Sequence, residues 1–160
     1  MRMMVGIGQD SHRFGLPGEA GKDVTLGGVA FNCGKKIIAN SDGDVVLHAL
    51  TNAISGITCV NVMGETADKM CLENSISNSA EYVQEALKSL NNAKISNVSF
   101  SIECLVPKIT PSIPQMRENI AALLGIKQNF VGITATTGEG LTAFGKGEGI
   151  QVFCTILTEG

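Results

Sequence analysis

The sequence predicts an α/β (α+β) fold in which a mixed β-sheet is covered by helices on one face, organised as one domain over residues 1–160. Three observations predict it. Strand patterns and helix patterns interleave along the chain, some strands follow one another directly, and no repeat or linker divides the sequence. Interleaving places helices over a sheet, and consecutive strands add antiparallel pairs, so the sheet is mixed.

A short first strand is expected from Met4 to Ile7, followed by polar Gln9 to Arg13 and a Pro/Gly-rich turn through Gly21. A second strand runs from Val24 to Leu26 and on towards Phe31. Ser41-Asp42-Gly43-Asp44 supplies a cap and carboxylates for a helix from Val45 to Ser55, ended by Gly56. Its core stripe is Val46, Ala49, Leu50, Ala53 and Ile57, with Asp44, His48, Thr51, Asn52 and Ser55 opposite. Thr58 to Ile76 has no clean period and reads as a loop able to cover a site. Asn78 to Glu81 resembles a capping box opening a purely structural helix to Leu90. Val98, Phe100, Ile102 and Cys104 alternate with polar residues, which defines a strand with one buried face. Pro107 to Pro111 makes a constrained turn, Pro114 opens a helix to Leu124, and Gly125 stops it. Phe130 to Ala135 and Ile150 to Thr158 are the last two strands.

Bulk properties exclude several classes. A net charge of -3, no Trp and one Tyr leave neither basic patch nor stacking platform for nucleic acid. No apolar run reaches the ~18 residues of a spanning helix and the start lacks a signal-peptide pattern, so no membrane partner and a cytoplasmic setting are expected. Five scattered cysteines without a C-x-x-C pair read as reduced, buried thiols. With 17% charged residues against 44% hydrophobic, some apolar surface is expected to be buried between subunits.

Asp10 and His12 are two apart in extended chain, so both side chains project to one side. With His48, the chain's other histidine, they make a carboxylate and two imidazoles, the donor set of a catalytic zinc with an open position. The competing explanation is a hydrogen-bonded loop pair. Near the C-terminus, glycine N–H groups and the hydroxyls of Thr136 and Thr137 can cradle phosphate, with Glu139 holding a harder cation. The alternative there is a tight hairpin between the last two strands.

Several blocks, taken together, resemble the 2-C-methyl-D-erythritol 2,4-cyclodiphosphate synthase family over essentially the whole chain. They are Gly8-Gln9-Asp10-Ser11-His12-Arg13-Phe14, Leu26-Gly27-Gly28-Val29, Ala39 to Leu50 with its Ser41-Asp42-Gly43-Asp44 core, Pro107-Lys108 with Ile113 to Arg117, Ala135 to Glu139, and Gly147-Glu148-Gly149-Ile150. The resemblance implies a homotrimer with active sites at subunit interfaces, making the cyclic diphosphate of non-mevalonate isoprenoid synthesis from a cytidine diphosphate-linked substrate, with release of CMP. It implies zinc on Asp10, His12 and His48, and magnesium or manganese on Glu139. Thr137 would fix a phosphate, and Ser41 would join Asn40 at the methylerythritol phosphate. Gly64, Lys146 and Thr136 would contact substrate, and Pro107, Lys108, Ile109, Thr110 and Ala135 would form the cytosine pocket. Departures from the pattern include Asn40 for a common histidine, Asn52 for an aspartate, Lys146 for an arginine and Val62 for the aspartate that receives ribose hydroxyls. The Phe-Pro-Asp loop has no counterpart in Ala67 to Cys71. Two other functions remain compatible: a trimeric diphosphate- or isoprenoid-binding homologue without turnover, and a zinc phosphohydrolase.

Overall fold

The computed structural model describes all residues, Met1–Gly160. Its sheet is built on one-sided alternation. In β4 (Lys94–Glu103), Val98, Phe100 and Ile102 are buried while Ser99 and Ser101 are exposed. The same alternation marks β6 (Gly149–Glu159), whose Ile150, Val152, Cys154 and Ile156 face inward. The strand order is β1-β6-β4-β5, where β1 is Met3–Arg13 and β5 is Val131–Thr136. Both β1 and β4 pair antiparallel with β6, and β4 pairs parallel with β5, so the sheet is mixed as expected. A separate hairpin joins β2 (Lys22–Leu26) to β3 (Val29–Ile37).

Helices α1 (Val45–Thr58), α3 (Ser79–Leu87) and α4 (Ile113–Leu124) supply the apolar side chains that meet the inner sheet face, and one core cluster runs through all of them. The outer face has no cover. Val5 is 73% and Ile7 64% exposed there, beside exposed Phe153.

Asp44 organises the join between hairpin and helix. As N-cap of α1 its carboxylate accepts the Leu47 N–H at 3.0 Å, and it also accepts Gly27 N–H at 2.9 Å and Gly28 N–H at 2.8 Å. Gly27 and Gly28 have φ of 58° and 74°, the two-residue hairpin geometry that needs glycine and turns both N–H groups towards Asp44. Full burial pushes the Asp44 carboxyl up to about 6, against the pull of the N–H groups of Gly28, Leu47 and Gly27. Asp44→Ala would orphan three backbone donors, so a stability loss of about 2–4 kcal/mol is expected by chemical denaturation. An unchanged denaturation midpoint would show that water replaces the carboxylate.

Several elements differ from the sequence expectation. The first strand continues to Arg13, because Gln9 to Arg13 keep the register with β6 from Phe153 to Gly149. The single strand from Val24 towards Phe31 is two strands separated by the Gly27-Gly28 turn. The first helix passes Gly56 and stops at Cys59, which adopts φ 60° and closes on the Ser55 carbonyl. Its polar side is not exposed: His48, Thr51 and Ser55 are buried with the apolar stripe. Part of the expected loop from Thr58 to Ile76 is a helix, α2 (Glu65–Asn74), in which Ala67 alone is buried. The helix from Ser79 tightens at Leu87 into a 3-10 turn, Lys88–Leu90. Its cap is Asn78, whose side chain accepts from Ala80 N–H at 2.9 Å. The last two strands are not neighbours, since β4 lies between β5 and β6, so the glycine-rich segment is no hairpin turn. All five cysteines are free thiols, but only Cys104 and Cys154 are buried.

Candidate metal centre and substrate clefts

Close approach of α1 to β1 creates the site. A Cβ at Gly8 would lie 2.0 Å from the Ala49 carbonyl oxygen, and one at Gly6 2.2 Å from that of Ala53. Glycine at these inward positions lets the helix backbone rest directly on the strand. Asn52 then donates to the Gln9 carbonyl at 3.0 Å, a bond that the aspartate expected there could not make when ionised. Asp10 and His12, the next two inward positions on β1, meet His48 from the first turns of α1. One ligand atom from each of the three lies within 4.8 Å of the others.

Asp10 Oδ2 is 3.1 Å from His48 Nδ1 and 3.6 Å from His12 Nε2. His12 Nε2 is buried without any hydrogen-bond partner. Burial is the largest influence on His12 and holds its pKa below the usual value, followed by the opposing pull of Asp10 and the repulsion of His48. A neutral imidazole with a free, buried nitrogen beside a carboxylate is what a divalent cation requires of its ligands, so these residues fit a metal. The opposite ring nitrogen of His48 is held from behind by Ser79 Oγ at 2.7 Å and Ser41 Oγ at 3.3 Å.

The three ligands open into a cleft of about 200 Å3 that Asn40, Ser41 and Gly64 also line. Lys22 secures the Asn40–Ser41 segment, donating to the Asn40 carbonyl at 2.7 Å and to that of Ser41. Val62, at the position of the missing aspartate, is buried in the core. Asp68 from α2 also lines the cleft, a residue that the sequence does not single out because Thr58 to Ile76 shows no helical period. Its signal was the acidic pair Glu65 and Asp68 in the first turn after Gly64.

A second cleft, about 160 Å3, brings together Pro107, Lys108, Ile109, Thr110, Ala135, Thr136 and Thr137. Glu139 and Lys146 are exposed on the segment beyond it and line neither cleft. Glu139 takes a left-handed φ of 59°, a strained conformation for a residue with a side chain. The two clefts sit at the same end of the sheet but on its opposite edges, β1 and β5. Three strand spacings separate those edges, about 14 Å. A larger cavity of about 540 Å3 opens behind Asp42 and Asp44, whose carboxylates there are occupied by N–H donors.

A model of the YgbB family matches residues 3–159. The chain belongs to the YgbB family. Its match to YgbB leaves only the terminal residues uncovered, and curated relatives agree. The chain is 49% identical over 153 residues to the 2-C-methyl-D-erythritol 2,4-cyclodiphosphate synthase of Chlamydia muridarum, covering 95% of this chain and 85% of that protein. The like-named protein of Chlamydia caviae is 48% identical, with 95% and 86% covered. Among solved structures, the Plasmodium vivax synthase superposes with a TM-score of 0.81 at 28% identity, covering 99% of this chain and 98% of that one. The CDP complex of the Plasmodium falciparum protein has a TM-score of 0.78 at 27% identity, covering 98% and 95%. The bifunctional protein from Campylobacter jejuni reaches 0.85 at 27% identity, with 98% of this chain and 42% of that one covered. Membership in YgbB bears out the family resemblance read from the motifs. No helix of this YgbB chain is long and apolar enough to cross a membrane.

Proposed function

We propose that the chain converts 4-diphosphocytidyl-2-C-methyl-D-erythritol 2-phosphate to 2-C-methyl-D-erythritol 2,4-cyclodiphosphate, releasing CMP. The observation that carries this reading is the convergence of Asp10, His12 and His48, with a buried, unpartnered His12 Nε2, in a chain whose curated relatives bear that synthase's name. The substrate's own 2-phosphate attacks its β-phosphorus as the bond to CMP breaks, so no protein nucleophile is needed. Two nitrogens and a carboxylate suit zinc, which supplies Lewis acidity and charge neutralisation to phosphate oxygens when bound.

The chain's own residues position the two ends of the substrate. Asn40 and Ser41, strapped by Lys22, present a carboxamide and a hydroxyl to the methylerythritol phosphate at the cleft beside His12. Asp68 offers hydroxyl groups an acceptor in place of the aspartate lost at Val62. On the other edge, Pro107 to Thr110 with Ala135 receive cytosine, while Thr136, Thr137 and Lys146 hold phosphate. Glu139 would hold magnesium or manganese, which would supply charge neutralisation to the phosphates, and its strained backbone supports a functional assignment. Glu139→Gln is expected to raise the magnesium concentration for half-maximal activity by roughly tenfold or more while zinc content stays at wild-type level. An unaltered magnesium titration would remove Glu139 from the site.

Separation of the clefts supports a homotrimer in which the β1 edge of one subunit meets the β5 edge of the next, with the bare outer faces turned to one another. Free thiols suit a cytoplasmic setting. The test is to load the protein with zinc and magnesium, add the cytidyl substrate and follow phosphorus resonances. Equal yields of CMP and cyclic diphosphate are expected. Zinc binding without turnover would favour a binding homologue, and a linear phosphate product would favour a phosphohydrolase.

A further inference from the structure

We propose that Asp42 and Ser79 form a positioning relay that decides which nitrogen of His48 faces the metal centre, an inference that rests on the metal-binding reading above. Ser79 opens α3 and is fully buried, and its Oγ stands 2.7 Å from His48 Nε2. A hydroxyl can meet an imidazole nitrogen either as donor or as acceptor, and the two cases leave opposite tautomers. Asp42 decides between them. Its Oδ2 accepts the Ser79 N–H at 2.9 Å, and its Oδ1 accepts both the Asp44 N–H at 3.0 Å and the Ser79 hydroxyl proton.

The one proton that Ser79 can donate is therefore committed to a carboxylate. Towards His48 its oxygen offers only a lone pair, so Nε2 must carry hydrogen. The lone pair of the ring is then at Nδ1, 3.1 Å from Asp10 Oδ2, an arrangement of two acceptors that a cation held between them would make favourable. With the hydroxyl reversed, Nε2 would be bare and Nδ1 would carry the hydrogen, pointing an N–H at the place where a cation must sit. The Ser41 hydroxyl does not decide the matter, because at 3.3 Å it is the weaker partner of Nε2 and it accepts the Gly43 N–H at 3.2 Å. Ser79 thus acts through His48 and touches neither substrate nor cation. Groups that orient a metal-ligating histidine from behind commonly change metal affinity by about 10–100-fold when removed.

The test uses zinc alone, without substrate. Zinc affinity is measured by competition with a chromophoric chelator for the wild type, Ser79→Ala and Ser79→Thr, and the imidazole nitrogens of the zinc-loaded wild type are observed by nitrogen-15 NMR. The alanine variant keeps the backbone N–H that Asp42 accepts, so α3 retains its start. Ser79→Ala is expected to weaken zinc by about 10–100-fold, and Ser79→Thr, which keeps the hydroxyl, to restore most of that loss. The wild-type spectrum should show zinc at Nδ1 of His48 and a slowly exchanging proton on Nε2, a readout that a general loss of stability would not produce. Wild-type affinity in Ser79→Ala, or zinc at Nε2 in the wild type, overturns the relay while leaving the metal centre standing. If the wild type binds no zinc, the metal reading and the relay fall together. Should Ser79→Ala not fold, the wild-type spectrum alone decides the assignment.

Discussion

His48→Ala is expected to release zinc and to lower turnover on the order of a thousandfold or more, while the protein still folds. The activity loss follows from the geometry. Asp10 and His12 alone offer a cation two donors from adjacent inward positions of one strand, and nothing else in the cluster replaces Nδ1 of His48. Stability should also fall, because the side chain is only 3% exposed and its removal leaves Ser79 Oγ and Ser41 Oγ short of a partner. A cost of about 1–3 kcal/mol is expected for those unpaired polar groups. The sequence alone implied a smaller cost, since periodicity set His48 off the apolar stripe of its helix. Metal content after dialysis, turnover and a denaturation curve check the prediction together. Stoichiometric zinc in the variant would exclude His48 as a ligand.

Gly8→Ala is expected to do comparable damage with a single methyl group. The added carbon would lie 2.0 Å from the Ala49 oxygen and 2.3 Å from the Ala53 nitrogen. Both are helix backbone, so no side-chain rotation relieves the clash. Strand and helix must move apart by more than an ångström, and overpacking of this kind costs about 1–3 kcal/mol and sometimes more. The separation also carries His48 away from Asp10. Loss of zinc affinity alongside a lowered melting temperature is therefore expected, and a variant that melts early yet binds zinc as the wild type does would show that the contact adjusts elsewhere.

The convergence of Asp10, His12 and His48 was legible in the sequence because its logic is local: two residues of spacing in extended chain fix a common side, and only one other histidine was available. The sheet's inner face was legible for the same reason, as Val98, Phe100 and Ile102 declare it. Long-range order was not. Nothing in the residues of β5 and β6 says that β4 lies between them, since strand order depends on partners distant in sequence. The burial of His48, Thr51 and Ser55 was hidden as well, because a polar side looks solvated until its partners are known. Thr51 turns its hydroxyl back to the Leu47 carbonyl at 2.8 Å, and His48 finds Ser79 across thirty-one residues of chain. Helix α2 escaped notice for want of an apolar stripe, having Ala67 as its only buried residue. Ser79 was read as part of a cap, which it is by position, while its hydroxyl serves the neighbouring helix.

The placement of the two clefts on opposite edges of one sheet has a consequence for inheritance and for damage. In the proposed ring each chain is half of two different catalytic centres, lending its metal edge to one and its cytidine edge to the other. A chain injured at one edge remains a full contributor at the other, so a mixed ring loses centres one at a time. Two alleles disabled at different edges can then complement each other, whereas an allele that prevents closure of the ring silences every centre at once.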